Sequence, residues 1–464
     1  MMSIKVILGT AISMAMVIKL RRRSGGKSCF RLSFFLMKFI IKMIKKIDFS
    51  EYKTVINNFF NLAFVQAINL ILPLITIPYI MRVVGIEKFG LISFATSIVN
   101  YFGVLVAYGF NLTATKTIAQ NINNKILIND LFCNVIYARI FLSIISLILF
   151  IIIQFLVKDF NNNFFIYLSL LLSVIFTNLS PDWFFQGVQN LKFLTRVNLV
   201  LKIISTSLTF LLISNKSDYY YLAVLPFLNS ILLFLITQIY VQKKYNISFK
   251  RINLRSIYLE LLNGRYLFLS QIKITFFSNF NVVVLGFLTN NTVVGIFSSA
   301  DKIIKVFSSV QIPIVTALFP HFAYKIKQDK QKAYKELNKI AIYGSFIYMP
   351  ILIVLFVLAK QVALLMFGTE INEISFLIRI MSIIPLLVFL NNLFGTQFLL
   401  NTGNEKKFLI NLILAAVLNI ILIFPLTIYF EGVGTAISVL VTEFFVLISL
   451  FYSANMVIKK SIEY

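Results

Sequence analysis

Acidic side chains are scarce in this chain. Asp and Glu together number 17 in 464 residues, against 43 Lys and Arg, and charged residues make up only 13% of the whole. A soluble globular domain gives about a quarter of its residues to charge, so a surface bathed everywhere in water is excluded. Cysteine is nearly absent: Cys29 and Cys133 form no CxxC pair and no Cys/His cluster with metal-ligand spacing, which argues against both a disulfide and zinc. His321 is the one histidine, placed near the end of an apolar stretch, and it reads as structural rather than as a proton relay. Serine, histidine and carboxylate do not cluster as a hydrolase requires.

Hydrocarbon is abundant instead, with 59% of residues hydrophobic. A net charge of +26 would suit nucleic acid, but the basic residues sit mostly in short segments between apolar runs. That pattern is topology signalling, and no nucleic-acid partner is expected. A bilayer core about 30 Å thick needs roughly 20 apolar residues per helix. Twelve such spans are expected, at about 57–80, 89–110, 135–157, 164–180, 193–213, 219–241, 264–289, 292–318, 340–359, 371–399, 408–429 and 433–457. The fold class is therefore an all-α polytopic membrane protein.

An even span count places both termini on one side, and cytoplasmic loops carry the excess of Lys and Arg. Loops on the side of the termini hold Lys116, Lys125 and Arg139, the Lys192/Arg196 and Lys406/Lys407 pairs, and the basic segments 243–265 and 325–339, whereas the other side holds Arg82, Lys88, Lys158, Lys216 and Lys360. Both termini are expected in the cytoplasm. The segment "YKIKQDKQKAYKEL" reads as a solvated basic helix against anionic headgroups. Residues 1–48 form a basic extension, read either as an interfacial amphipathic helix through Lys38, Lys42, Lys45 and Lys46 or as sequence ahead of a true start at Met37 or Met43.

An internal repeat is visible. "FGLISFATSI" at 89–98 aligns with "VGIFSSADKI" at 294–303, so that Gly90, Ser93 and Ala95 match Gly295, Ser298 and Ala300. The offset is about half of twelve spans, which predicts six helices plus six around a central cavity. The expected boundaries are an N-terminal lobe at 49–241, a cytoplasmic linker at 242–263 and a C-terminal lobe at 264–464.

Ionisable groups at mid-span cost about 2.5–3.5 kcal/mol each on insertion scales, so they should face protein or water. Those expected at depth are Lys202, Lys273, Asp301, Lys302, Lys305, Arg379 and Glu443, five cations against two carboxylates. Asp301 and Lys305 have the i, i+4 spacing of a local ion pair, and Glu443 is read as a partner for another cation. Lys273 and Lys302 are the hardest to explain as structural. Gln66, Asn69, Asn100, Gln271, Asn279 and Asn281 add uncharged polar groups at similar depth. Excess buried positive charge suits an anionic substrate, with a pyrophosphate the leading candidate.

Four segments carry a family resemblance: "LITIPYIMRVVGIEKFG" (74–90), "SPDWFFQGVQNLKFLTR" (180–196), "GIFSSADKIIK" (295–305) and "GVGTAISVLVTE" (432–443). Over about residues 50–455 the chain resembles the Wzx-type O-antigen and polysaccharide flippases of the multidrug/oligosaccharidyl-lipid/polysaccharide exporter superfamily. The resemblance implies a MATE-like fold in the bacterial cytoplasmic (inner) membrane and no enzymatic activity. It implies transport of undecaprenyl-pyrophosphate-linked oligosaccharide from the cytoplasmic to the periplasmic leaflet by alternating access through a cation-lined cavity. Lys273, Lys302 and Lys305 then meet the pyrophosphate, Asp301 tunes Lys305, Arg82 serves release or gating, and Asn69, Asn100, Gln271 and Asn279 bond sugar hydroxyls. The partners are lipid-linked oligosaccharide and membrane lipids, with a polysaccharide polymerase and a chain-length regulator beside them. No cofactor is expected, and coupling to protons or sodium is left open. The alternatives are a drug/cation antiporter of the same fold, which would need buried carboxylates, a membrane polymerase or ligase, which would need a large outer loop, and a scaffold, which would have no use for buried charge.

Overall fold

The computed structural model describes residues 72–73, 75–156, 158–249, 254–368 and 371–460, apart from some side chains within helices, that of Lys273 among them. The N-terminal extension, Gln66 and Asn69 fall outside the described residues. Every element within them is helical. The chain enters through α1 (Ile75–Val84), the end of the first expected span. It continues through α2 (Ile86–Ala107), α3 (Phe110–Gln120), α4 (Lys125–Leu156), α5 (Lys158–Asn162), α6 (Phe164–Leu179), α7 (Asp182–Gly187), α8 (Leu191–Leu212) and α9 (Tyr221–Tyr245). The second half comprises α10 (Leu254–Leu288), α11 (Asn291–Ser309), α12 (Ile312–Gln328), α13 (Lys330–Val357), α14 (Ala359–Met366), α15 (Ile371–Met381), α16 (Ile384–Asn392) with a π-helical continuation over Leu393–Leu400, and α17 (Glu405–Lys460).

Among the described residues eight helices are long and apolar enough to cross a bilayer, or nine if the bent pair Asn291–Thr316 and His321–Gln328 is one span. The sequence predicts twelve. Element α17 holds two of them, broken at Glu431, whose φ of 48° and ψ of −126° are not helical. Its halves run antiparallel, joined by side-chain hydrogen bonds between Thr427 and Thr435 (2.9 Å), Asn419 and Thr442 (3.2 Å), and Asn411 and Ser453 (2.8 Å). Helix α10, at 35 residues, is long enough to cross, and several of its side chains lie outside the described residues. The first span is described only from residue 72.

Burial separates the lipid face from the interior. On α4 the exposed apolar residues Ile140, Phe141, Ile144, Ile148, Ile151, Ile152 and Phe155 recur at helical spacing, as expected where hydrocarbon replaces water. Inside, one apolar cluster uses residues between Phe110 and Ile257, a second uses residues between Leu318 and Val457, and a third draws on both halves, from Met81 to Ala436. The third fastens α2 to α11.

Two loop expectations are corrected. Arg139 is not a loop residue: α4 begins at Lys125, so Arg139 lies about four turns along it, nearly inaccessible at 1% exposure. The basic segment 324–337 is not one surface helix but the junction of α12 and α13, where Asp329 caps α13 by accepting from the backbone N–H groups of Gln331 (2.9 Å) and Lys332 (3.0 Å). His321 and Lys325 on α12 both contact the carboxylate of Glu336 on α13.

The Asp329 carboxyl titrates below its ordinary value, chiefly because the Lys332 N–H bonds its charged form. A depressed carboxylate contributes its capping above the unfolded value of about 4 and loses it as pH falls through the lower folded value. Asp329→Ala is therefore expected to speed amide exchange at Gln331 and Lys332 near neutral pH, with Asp329→Asn close to the parent. Unchanged exchange in the alanine variant would remove the cap from the account.

Candidate functional site

The tightest helix crossing joins α2 to α11. A Cβ on Gly90 would stand 1.8 Å from the carbonyl oxygen of Asn291 and 2.7 Å from the Gly295 nitrogen, and one on Gly295 would stand 2.2 Å from the Ile86 carbonyl oxygen. Only glycine permits backbones to approach so closely. These two glycines are the pair matched by the internal repeat, so repeat-related residues meet each other across the crossing. At the same end, Ser299 on α11 donates to the Met81 sulfur at 3.2 Å, and the Arg82 guanidinium, from the end of α1, donates to the carbonyl of Leu365 on α14.

Farther along α2 the helices part. A cavity of about 370 Å³ opens there, lined on α2 by Asn100, Gly103, Val104 and Ala107, on α6 by Val174, Thr177 and Asn178, and on α10 by Gln271, Thr275 and Asn279, with Gly109, Asn111 and Leu112 at the start of α3. The α10 residues recur every four positions and those of α2 at 3, 1 and 3, so each helix presents a single row. Asn100 Nδ2 donates to Asn279 Oδ1 at 3.2 Å, tying the two rows together. At the far end Tyr108 stacks on Phe268, ring centroids 4.4 Å apart. The result is a chamber rich in amides and hydroxyls, whose lining among the described residues holds no charged side chain. Amides both donate and accept, the property needed to hold a polyol in several orientations.

Three of the four residues expected to meet sugar, Asn100, Gln271 and Asn279, thus lie on this one cavity, while Asn69 is outside the described residues. Of the residues expected to meet pyrophosphate, Arg82, Lys302 and Lys305 are placed elsewhere, and the side chain of Lys273 lies outside the described residues. Lys302 is half-buried on α11 with its ammonium 4.2 Å from the centroid of the Phe89 ring, and no carboxylate among the described residues forms an ion pair with it. Lys305 is exposed and pairs with Asp301 at 2.6 Å, the local ion pair its spacing predicted. Arg82 sits at the glycine-crossing end. None of Arg82, Lys302 and Lys305 lines the cavity. Glu443 has no cationic partner among the described residues, and its carboxylate accepts from Asn391 Nδ2 at 2.7 Å.

Arg139 is the residue that loop counting missed. Its guanidinium donates to the carbonyls of Asn178 and Ser180 and, at 2.7 Å, to Asn111 Oδ1. It also lies 5.9 Å from the ring centroids of Phe110 and Trp183, with the Asp182 carboxylate as its electrostatic partner. Asn111 and Asn178 are both cavity residues, so a buried cation stands directly behind the polar wall. A sequence signal existed: residues 125–156 contain neither Gly nor Pro, leaving no punctuation to end a helix before Arg139.

The polysaccharide biosynthesis protein family matches residues 55–326, more than half of the chain. The chain belongs to that family. Among curated relatives, two carry the name "Putative O-antigen transporter". The one from Escherichia coli (strain K12) is 31% identical over 83% of this chain and 93% of its own, and the one from Shigella dysenteriae is 27% identical over 85% and 98%. The polysaccharide biosynthesis family and these transporter relatives are what the four sequence segments pointed to. Solved structures give the fold: the lipid II flippase MurJ in an inward closed conformation superposes with a TM-score of 0.68 at 14% identity, covering 85% of this chain and 87% of that one. An inward-facing multidrug resistance MATE family transporter of the MOP superfamily follows at 0.60 and 17% identity, covering 84% and 95%. These relatives are named as transporters, and the MATE-like fold is the one the resemblance implied.

Proposed function

We propose that this chain flips undecaprenyl-pyrophosphate-linked oligosaccharide from the cytoplasmic to the periplasmic leaflet by alternating access. The observation that carries the reading is the amide-lined cavity between α2, α6 and α10, of a chemistry suited to sugar hydroxyls. Support comes also from the family and from relatives named as O-antigen transporters. With both termini in the cytoplasm, the cavity half faces inward and the Gly90/Gly295 crossing seals the outer end.

Lys302 supplies the first cation. A lysine resting on an aromatic face is held by only about 0.5–2 kcal/mol, less than a charge-assisted bond to pyrophosphate in a low-dielectric chamber returns. As the outer crossing parts, Lys302 leaves Phe89 and takes the pyrophosphate, while Lys273 and Lys305 add positive potential around it. Arg82, tied to Leu365, holds the outer end shut until then. The polyprenyl tail stays in lipid. The polymerase and chain-length regulator implied by the resemblance belong to the same proposal. A drug/cation antiporter fits less well, because the cavity lining among the described residues contains no carboxylate to attract a cation.

The test is complementation of a flippase-deficient strain. Lys302→Ala is expected to lower surface glycan at least tenfold, Lys302→Arg to retain most of it, and Lys305→Ala to have a smaller effect. Full display by a stably inserted Lys302→Ala variant would refute this assignment.

A further inference from the structure

On the lipid-facing side of the first half, at the end of the bundle where α8 begins and α9 ends, lies an open groove that transport does not use. It encloses about 530 Å³ between Phe193 of α8 and Ile236, Ile239, Tyr240, Lys243 and Lys244 of α9, and shares no residue with the central cavity. Its floor is rigid: the Phe193 and Tyr240 rings stack with centroids 3.5 Å apart, and Phe185 packs behind them at 5.6 and 5.9 Å. Ile236 and Ile239 form an exposed apolar wall.

One end of this trough is strongly basic. Lys243 and Lys244 occupy the last turn of α9, and the exposed Lys192 and Arg196 belong to the first turns of α8. The Lys244 ammonium donates to the Tyr240 phenol at 2.7 Å, and Asn190 Nδ2 approaches the same oxygen at 3.4 Å. Lys244 is thus oriented by a neutral oxygen, which leaves its charge unneutralised. Among the described residues no carboxylate lines the groove.

An apolar channel open to hydrocarbon and ending in two ammonium groups is complementary to one class of molecule, an acyl chain carrying a negative headgroup. We propose that the groove binds an anionic phospholipid of the bilayer, its acyl chain along Ile236, Ile239 and the Phe193/Tyr240 pair and its phosphate between Lys243 and Lys244. A free phosphate would leave the apolar length of the groove unfilled. A lipid-linked saccharide would find none of the amide lining of the central cavity here.

Native mass spectrometry of the full chain, titrated with phosphatidylglycerol or phosphatidylethanolamine, tests this. The parent is expected to retain one phosphatidylglycerol in clear preference to phosphatidylethanolamine. Each lysine near a charged headgroup is worth about fivefold in affinity, so Lys243→Gln with Lys244→Gln should weaken retention about 25-fold. Ile239→Trp, which fills the groove and leaves the charge alone, should weaken it as well. Undiminished retention in both variants overturns the site, as does equal competition by inorganic phosphate. Stoichiometric displacement by undecaprenyl phosphate also overturns it, by making the occupant substrate-like. Because the readout is lipid retention, loss of the flippase reading leaves this result standing.

Discussion

Gly90→Ala is expected to cut surface glycan at least tenfold while the protein still accumulates in the membrane. The added methyl carbon would lie 1.8 Å from the Asn291 carbonyl oxygen, a backbone atom that cannot rotate aside as a side chain would. Overpacking of this kind costs about 1–3 kcal/mol when side chains can yield and more when helices must separate. Because the strain exists only when α2 and α11 are crossed, it should act on the conformational equilibrium rather than on folding as a whole. Gly295→Ala, facing the Ile86 carbonyl oxygen at 2.2 Å, should behave alike. Gly432→Ala is the control, since its Cβ would first meet a valine methyl at 3.3 Å. A thiol placed at Ser298, which is buried at this crossing, should label faster in the Gly90→Ala background of a variant lacking the native cysteines. Slow labelling together with normal glycan would show that the two helices need not approach so closely.

The second large effect is expected at Arg139. Arg139→Leu leaves the carbonyls of Asn178 and Ser180 and the Asn111 amide oxygen without their donor in a buried setting. Each orphaned buried group costs about 1–3 kcal/mol, and the Asp182 carboxylate loses its electrostatic partner too, so a total loss of at least about 3 kcal/mol is expected. Arg139→Lys keeps the charge, but one ammonium cannot reproduce the planar fork that reaches three acceptors, and an intermediate loss should follow. Thermal unfolding in detergent measures the total. Trp183 provides a local readout, because it lies beside the guanidinium and is the sole tryptophan. A shift in its emission with unchanged stability would mean that α3, α6 and α7 repack around the missing group.

Much of this was legible in the residues. Apolar length alone located the helices, since hydrocarbon thickness fixes span length regardless of what each helix touches. The repeat matched Gly90 with Gly295 but did not reveal their meeting, which the close approach of the two backbones shows. Asn100, Gln271 and Asn279 could be selected as mid-span polar groups, which must face protein or water. The direction of a charge could not be read the same way. Lys302 turns to Phe89, and Glu443 to Asn391, through contacts that depend on which helices are neighbours. Arg139 was assigned to a loop because loop counting treats each basic residue as topology signal; only the unbroken helix from Lys125 places it inside. The hairpin at Glu431 was read as two spans correctly, although its one-residue break carries no proline.

The central claim is that the chamber between α2, α6 and α10 holds the saccharide during transport. Its most direct test is the initial rate of flipping of a fluorescent lipid-linked oligosaccharide in proteoliposomes, compared between the parent and an Asn100→Leu/Asn279→Leu double variant. These leucines approximate the volume of the amides but remove their hydrogen bonds, so the rate is expected to fall at least tenfold with insertion unaffected. A parent-like rate in the double variant would contradict the account.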